Sequence, residues 1–179
     1  VTGGNLQTAR VASTLPQALT VNVKDQFGYP VKGARVTWAA ALLSGTVTPM
    51  ADSTDANGNA SASWKLGTTA IGQSVTATVT GLTPVVFNAT GTPDLSRVMT
   101  VTGGSGQTGA IGSTLATPLS VLVKDSYGNL IAGETVVWND SIGAGGSVSP
   151  TTSLTNASGV ATSTWTLGGA PGAQTVRAR

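Results

Sequence analysis

The chain has 179 residues, of which only 9% are charged, and its formal net charge at pH 7 is +2. It contains no cysteine and no histidine, which excludes disulfides, Cys/His metal sites and catalysis by a histidine base or a cysteine nucleophile. The basic residues are scattered and no apolar run is long enough to cross a bilayer, so we expect no nucleic-acid partner and no membrane span in this segment.

The sequence repeats itself. Residues 1–38 recur at 101–138, and after one inserted residue the rest of the first copy recurs from 146 onwards. Segment 19–38 returns as 119–138 with its leucine, Lys-Asp pair, two glycines, three valines and final tryptophan unchanged. A repeat of about 100 residues is too long for a solenoid and suits a β-sandwich domain. We therefore predict two domains, 1–91 and 92–179.

Alternation of apolar and polar residues predicts short strands and no helix. Leu19, Val21 and Val23 should face the interior of a two-layer sandwich, because side chains along a strand alternate between its faces. The strands predicted in the first copy are 7–11, 19–24, 35–41, 45–49, 59–66, 73–80 and 84–90. Those predicted in the second copy are 97–102, 107–111, 119–124, 134–140, 146–149, 160–167 and 174–179.

The two copies are not equally complete. The second copy has no counterpart of residues 79–90, and the first begins without a counterpart of 95–100. The second domain should thus lack its last strand within this chain and expose a sheet edge, which the continuing chain or a neighbouring subunit would supply. Between the domains, Pro93 predicts a stiff joint at 91–94.

The repeated motifs resemble the bacterial Ig-like domain type 1 of the invasin/intimin group. They are VTGG, L-x-V-x-V-K-D-x-x-G, V-x-W, G-x-V-x-P, T-[DN]-A-x-G, W-x-L-G and Q-x-V-x-A, and they cover the whole chain in two copies. The resemblance implies an all-β chain of two tandem Ig-like β-sandwich domains without a disulfide. It also implies a place in a rod or stalk of a secreted, cell-surface or phage-associated protein.

Four tryptophans and six turn residues are the positions that the repeat singles out. Trp38, Trp64, Trp138 and Trp165 have inward parity, which favours packing in the core over an exposed carbohydrate-binding platform. The residues expected to form turns between strands are Asp25, Gly28, Gly58, Asp125, Gly128 and Gly159. A calcium site at Asp25, Asp52 and Asp55 is the alternative, but only Asp125 of these acids recurs in the second copy, so we favour turns and expect no metal or cofactor.

No catalytic group of residues recurs in both copies, so we expect no enzyme activity. The sequence favours a structural repeat module of an extracellular bacterial surface or filament protein, such as a rod, stalk or fibre with adhesion as a further role. The alternative is a carbohydrate- or receptor-binding module of a phage virion or adhesin. Expected partners are neighbouring Ig-like repeats, copies of the chain through strand exchange at the incomplete second domain, and a host-surface protein or glycan.

Overall fold

The protein is built from β-strands in two compact units. A computed structural model describes residues 1–140 and 145–179, and every regular element within these ranges is a strand, which confirms the all-β prediction. Contacts divide the chain into Val1–Asp94 (unit 1) and Leu95–Arg179 (unit 2), slightly later than the boundary predicted from the repeat. Among the described residues, no helix has the length and apolar character needed to span a membrane.

Unit 1 consists of two facing sheets. Its strands are β1 (Gln7–Arg10), β2 (Leu19–Asn22), β3 (Arg35–Ala40), β4 (Thr46–Thr48), β5 (Ala51–Ser53), β6 (Asn59–Lys65), β7 (Gly72–Val79) and β8 (Val85–Thr92). The larger sheet has the order β1-β8-β7-β3-β5, and the smaller has the order β2-β6-β4. Within the larger sheet β8 pairs antiparallel with β7 and parallel with β1.

Unit 2 repeats this plan with different edges. Its strands are β9 (Val98–Gly103), β10 (Leu119–Lys124), β11 (Thr135–Asp140), β12 (Ser147–Ser149), β13 (Thr152–Leu154), β14 (Val160–Thr166) and β15 (Val176–Ala178). One sheet has the order β12-β14-β10-β9, in which β9 adds a strand beside β10 that unit 1 lacks beside β2. The other sheet has the order β13-β11-β15, which matches β5-β3-β7 and has no described strand at the positions of β8 and β1.

The core of each unit lies between its sheets. Along β6 the burial alternates residue by residue, because the inward set of Ala60, Ala62 and Trp64 packs against the other sheet while the intervening residues face solvent. In unit 2 the equivalent core is smaller. Trp165, Val176 and Ala178 lie at its margin and are only partly buried. The two-layer prediction therefore describes both units, but unit 2 has the less complete interior.

The prediction and the structure differ at three strand positions. Strands β5 and β13 are not predicted, because each has only three residues and follows a proline turn without an alternating apolar pattern. Residues 107–111 are predicted as a strand but form none. Their counterpart β1 owes its regular pairing to β8, and no described strand occupies that position in unit 2. Pairing with a distant partner, not local pattern, decides whether this segment is a strand.

Candidate functional site

Three of the four repeated tryptophans are core residues. Trp38 and Trp138 are each 3% exposed, and Trp64 is fully buried on β6. The indole N–H of Trp64 donates to the backbone carbonyl of Ser44 at 2.6 Å, and that of Trp138 donates to the hydroxyl of Ser153 at 2.8 Å. Side chains enclosed in this way offer no flat, exposed face on which a sugar ring could stack.

Trp165 is the exception. It occupies the position of Trp64 in the second copy, but it is only partly buried and lies at the edge of the core. Its indole N–H, like that of the buried Trp38, has no hydrogen-bond partner among the described residues. The sequence predicts equal burial for this matched pair, so the difference must arise from what surrounds each residue.

The predicted turn residues lie in the expected loops. Asp25 Oδ1 accepts hydrogen bonds from the backbone N–H groups of Phe27 and Tyr29, both at 2.9 Å. Asp125 makes the same two bonds, to the N–H groups of Tyr127 and Asn129, and its second oxygen accepts from the Asn129 side chain. Gly28, Gly58, Gly128 and Gly159 have φ between 71° and 88°, which is the left-handed region that favours glycine. These carboxylates act as turn-closing acceptors.

The acids considered for calcium binding accept hydrogen bonds from separate backbone N–H groups. Asp55 Oδ1 accepts from the N–H groups of Asn57 and Asn59, and Asp52 Oδ2 accepts from that of Ser61. Within residues 1–140 and 145–179, no three acidic side chains come together in a group that could hold a metal ion. These carboxylates therefore hold loops through hydrogen bonds.

Two repeated polar residues have structural roles that the sequence interpretation did not assign. The hydroxyl of Thr54 donates to the Val31 carbonyl at 2.6 Å and accepts from the Ala34 N–H at 2.9 Å, and the hydroxyl of Thr155 makes the equivalent bonds to Ile131 and Glu134. Both threonines are almost fully buried. Each fastens the loop before β3 or β11 to the chain that follows β5 or β13.

The second such residue is Gln73 and its counterpart Gln174. The side chain of Gln73 accepts from the Gly67 N–H at 2.8 Å and donates to the Thr69 carbonyl at 3.0 Å. Gln174 makes the same pair of bonds to Gly168 and Ala170. The sequence signal for these residues was their identity in both copies of the repeat. That identity alone does not indicate which interaction requires them.

One opening in unit 2 is a cleft of about 450 Å³ beside β15. Apolar side chains, two tryptophans among them, line one part of it, and residues 103–109 and 172–175, most of them glycine or polar, line another. The lining includes Val101, Leu119, Val121, Trp138, Trp165, Leu167, Val176 and Ala178.

Matched positions in the two units differ in burial. Val11 is 3% exposed in unit 1, whereas its counterpart Ile111 is 57% exposed in unit 2. Val75 is fully buried on β7, whereas Val176 on β15 is only partly buried. In unit 1 these positions are covered by β8, because Val11 N–H donates to the Thr92 carbonyl and β7 pairs with β8 along six residues.

Comparison with known proteins gives similarity of structure only. No protein-family model and no curated protein matches the sequence. The adhesin FdeC of Escherichia coli has a TM-score of 0.52 to this chain. The two are 20% identical over 97% of this chain and 56% of the FdeC chain. The chain shares the Ig-like fold of FdeC. This confirms the fold expected from the resemblance to the invasin/intimin group.

Two further structures have lower scores. InvD of Yersinia pseudotuberculosis gives a TM-score of 0.48 and 16% identity over 97% of this chain and 53% of its own. The D00-D0 domain of intimin gives a TM-score of 0.45 and 19% identity over 98% of this chain and 88% of its own. The chain spans about half the length of the FdeC and InvD structures that it matches.

Proposed function

We propose that this protein is a structural repeat module without catalytic activity, one pair of Ig-like domains in a rod, stalk or fibre at a bacterial surface. The observation that carries the proposal is the structural role of the repeated residues. Trp38, Asp25, Thr54 and Gln73 recur in the second copy, and each is committed to core packing or to hydrogen bonds inside its own unit. Repetition here preserves a fold rather than a site.

The Ig-like fold supports a role at the cell surface. FdeC, which has this fold, is described as an Escherichia coli adhesin. FdeC and InvD are both bacterial proteins, and neither gives support to a phage virion. The partners that fit this role are neighbouring Ig-like repeats.

Surface labelling tests the proposal. Antibodies raised against the two-unit protein should label intact cells of the bacterium that produces it, without permeabilisation. Protease added to intact cells should also remove the epitope. Labelling that requires permeabilised cells would contradict a surface role, and a cytoplasmic protein of known abundance provides the control for cell integrity.

A second function, binding of a glycan or host-surface protein, is favoured by one observation. Phe27 and Tyr29 sit on the Asp25 turn with 75% and 68% of their surface exposed. Exposed aromatic side chains on one loop can stack on a sugar ring or anchor a protein contact. The paired variant Phe27→Ala/Tyr29→Ala should abolish binding to glycans or host cells while leaving unfolding unchanged. Binding that persists in this variant would exclude the loop as the contact.

A further inference from the structure

We propose that the outer face of the larger sheet of unit 1 binds a neutral glycan in a shallow depression beside Leu6. The depression has a volume of about 400 Å³, which lies within the range of ligand pockets. Its lining includes Leu6, Gly72, Ser74, Asn88 and Thr90. The site is separate from the loop that carries Phe27 and Tyr29, and it adds a ligand to the structural role proposed above.

Leu6 has a backbone conformation that is unusual for its side chain. Its φ is 60°, in the left-handed region that is unfavourable for a bulky residue, and the residue is 77% exposed. The two copies of this segment, VTGGNLQT and VTGGSGQT, differ only at Asn5 and Leu6, which are Ser105 and Gly106 in the second copy. Gly106 has a φ of 71°, so the second copy reaches a similar φ with the residue that it favours. Leucine at this position costs stability without joining the core, and strained residues of this kind cluster at ligand-binding sites.

Hydrogen bonds to β8 hold Leu6 beside the depression. Its N–H donates to the Asn88 carbonyl at 2.7 Å, and the side-chain oxygen of Asn5 accepts from the Asn88 N–H at 2.8 Å. The next residue, Gln7, begins β1 and pairs with Ala89. These bonds fix the leucine at the edge of the depression before a ligand arrives, and preorganisation of this kind lowers the entropic cost of binding.

Gly72 leaves the space of the depression open. In the register of the sheet Gly72 lies opposite Thr90, and Ser74 lies opposite Asn88. A Cβ atom built on Gly72 would meet no atom within 4 Å, and its backbone is outside the left-handed region. Neither crowding nor backbone conformation therefore requires glycine here, and the consequence of this residue is an open outer surface between polar side chains.

The polar side chains around Gly72 are available to a ligand. Those of Ser74, Asn88 and Thr90 form no hydrogen bond within the part of the chain that the structure describes. A hydroxyl and a carboxamide each donate and accept hydrogen bonds, and so does the hydroxyl of a sugar. Every residue of the lining is uncharged, which favours a neutral ligand. The side chain of Leu6 offers an apolar surface to the C–H face of a sugar ring.

A peptide strand does not fit this surface. Strand β8 pairs with β1 along one edge and with β7 along the other, so its backbone groups are already bonded. Addition of a strand needs a free sheet edge. A stable protein interface needs about 800 Å² per partner with an apolar centre, whereas Leu6 is the one large, exposed apolar residue of the lining. Side-chain hydrogen bonds to a hydroxyl-rich ligand suit the surface better.

A glycan array probed with the full chain tests this assignment. The probes are printed neutral glycans and printed uronate-containing glycans, and at least one neutral glycan should bind more tightly than any uronate-containing one. The strongest neutral binder is then titrated into isotopically labelled protein. Its addition should cause saturable NMR shifts at the amides of Leu6, Ser74, Asn88 and Thr90, and none in β14 of unit 2.

Leu6→Gly separates binding from stability. It introduces the residue of the second copy and removes the unfavourable backbone conformation, so the denaturant midpoint should match or exceed that of the wild type. Affinity for the neutral glycan should fall at least about tenfold, because the apolar contact with the sugar ring is lost. A variant that folds at least as well and binds less is the result expected of a ligand-binding residue.

Gly72→Val and two controls locate the site. A valine at Gly72 has space on the surface, so the variant should fold, and it should bind the glycan at least about tenfold more weakly because it fills the depression. Val86→Ala changes a residue of β8 that is 49% exposed and lies outside the lining, so it should bind as the wild type does. The paired variant Phe27→Ala/Tyr29→Ala should also retain this binding.

Three outcomes would overturn the assignment. The first is an array on which no neutral glycan binds. The second is wild-type affinity in both Leu6→Gly and Gly72→Val. The third is loss of binding in Phe27→Ala/Tyr29→Ala, which would place the glycan on that loop instead. None of these outcomes bears on surface labelling of intact cells, so failure of the glycan site and failure of the proposed structural role are distinguishable.

Discussion

The ring of Phe87 packs on the ring of Trp38 with their centroids 5.7 Å apart and their planes tilted by 49°. The two residues belong to β8 and β3, which are separated in the sheet by β7, so the contact links strands that share no backbone hydrogen bonds. Trp138 takes the place of Trp38 in unit 2 and is likewise 3% exposed.

Replacement of Phe87 by alanine should destabilise unit 1 by about 3–5 kcal/mol, because it removes a fully buried aromatic ring and leaves a cavity beside Trp38. Urea unfolding followed by tryptophan fluorescence measures this loss. Val86→Ala is the matched control on the same strand, since Val86 is 49% exposed, and it should change stability by no more than about 0.5 kcal/mol. Equal effects of the two variants would contradict the assigned faces of β8.

Much of the fold can be predicted from the sequence because most strands here carry their own alternating pattern. Leu19, Val21 and Trp64 face the core as their parity predicts. The errors arise where structure depends on a distant partner. Residues 107–110 have the sequence of a strand without its pairing partner, and Trp165 has inward parity without a complete core to enter. A local sequence pattern does not show whether a pairing strand or a packing partner is present.

The candidate site was less predictable than the fold. The walls of the cleft beside β15 come from residues far apart in the chain. Val101, Trp138 and Val176 line one surface only because three strands bring them together. The roles of Thr54 and Gln73 likewise depend on loops that only the folded chain brings within hydrogen-bonding distance.

Alanine in place of Trp64 should cost more stability than alanine in place of Trp165. Trp64 is fully buried and its indole N–H is paired, so its loss should cost about 3–5 kcal/mol of unit 1 stability. Trp165 is partly exposed and its N–H has no described partner, so its loss should cost unit 2 clearly less. Amide hydrogen exchange measured separately in β6 and β14 distinguishes the two units. A larger loss for Trp165→Ala would contradict the difference in burial.

Alanine in place of the turn aspartate should destabilise the two units by different amounts. Asp125 is 2% exposed and accepts hydrogen bonds from Tyr127 and Asn129, so Asp125→Ala should cost about 1–3 kcal/mol by leaving partly buried N–H groups without this acceptor. Asp25 is exposed, so water can replace its carboxylate and Asp25→Ala should cost less. Asp125→Asn retains an acceptor oxygen and should restore most of the stability. Thermal unfolding of the three variants provides the comparison.

Two turn glycines should respond differently to alanine. Gly28 and Gly58 both have positive φ, which costs an alanine about 1–2 kcal/mol. A Cβ on Gly28 would meet nothing within 4 Å, whereas a Cβ on Gly58 would lie 2.5 Å from the Val23 carbonyl oxygen. Gly58→Ala should therefore cost the backbone strain and an additional shift of β2, while Gly28→Ala should cost the strain alone. Denaturant midpoints of the two variants that coincide would contradict the close approach at Gly58.

Thr155→Val should lower the stability of unit 2 by about 1–3 kcal/mol although it preserves the shape of the side chain. The hydroxyl donates to the Ile131 carbonyl at 2.6 Å and accepts from the Glu134 N–H at 2.9 Å, and both groups lose a partner when it is removed. Thr155→Ser keeps the hydroxyl and should lose less, and Thr152→Val on the exposed face of β13 should be near neutral. For a domain of this size each kcal/mol corresponds to about 4–8 °C in Tm, so calorimetry resolves the three variants. If Thr155→Ser and Thr155→Val were equally unstable, the methyl group rather than the hydrogen bonds would be holding the loop.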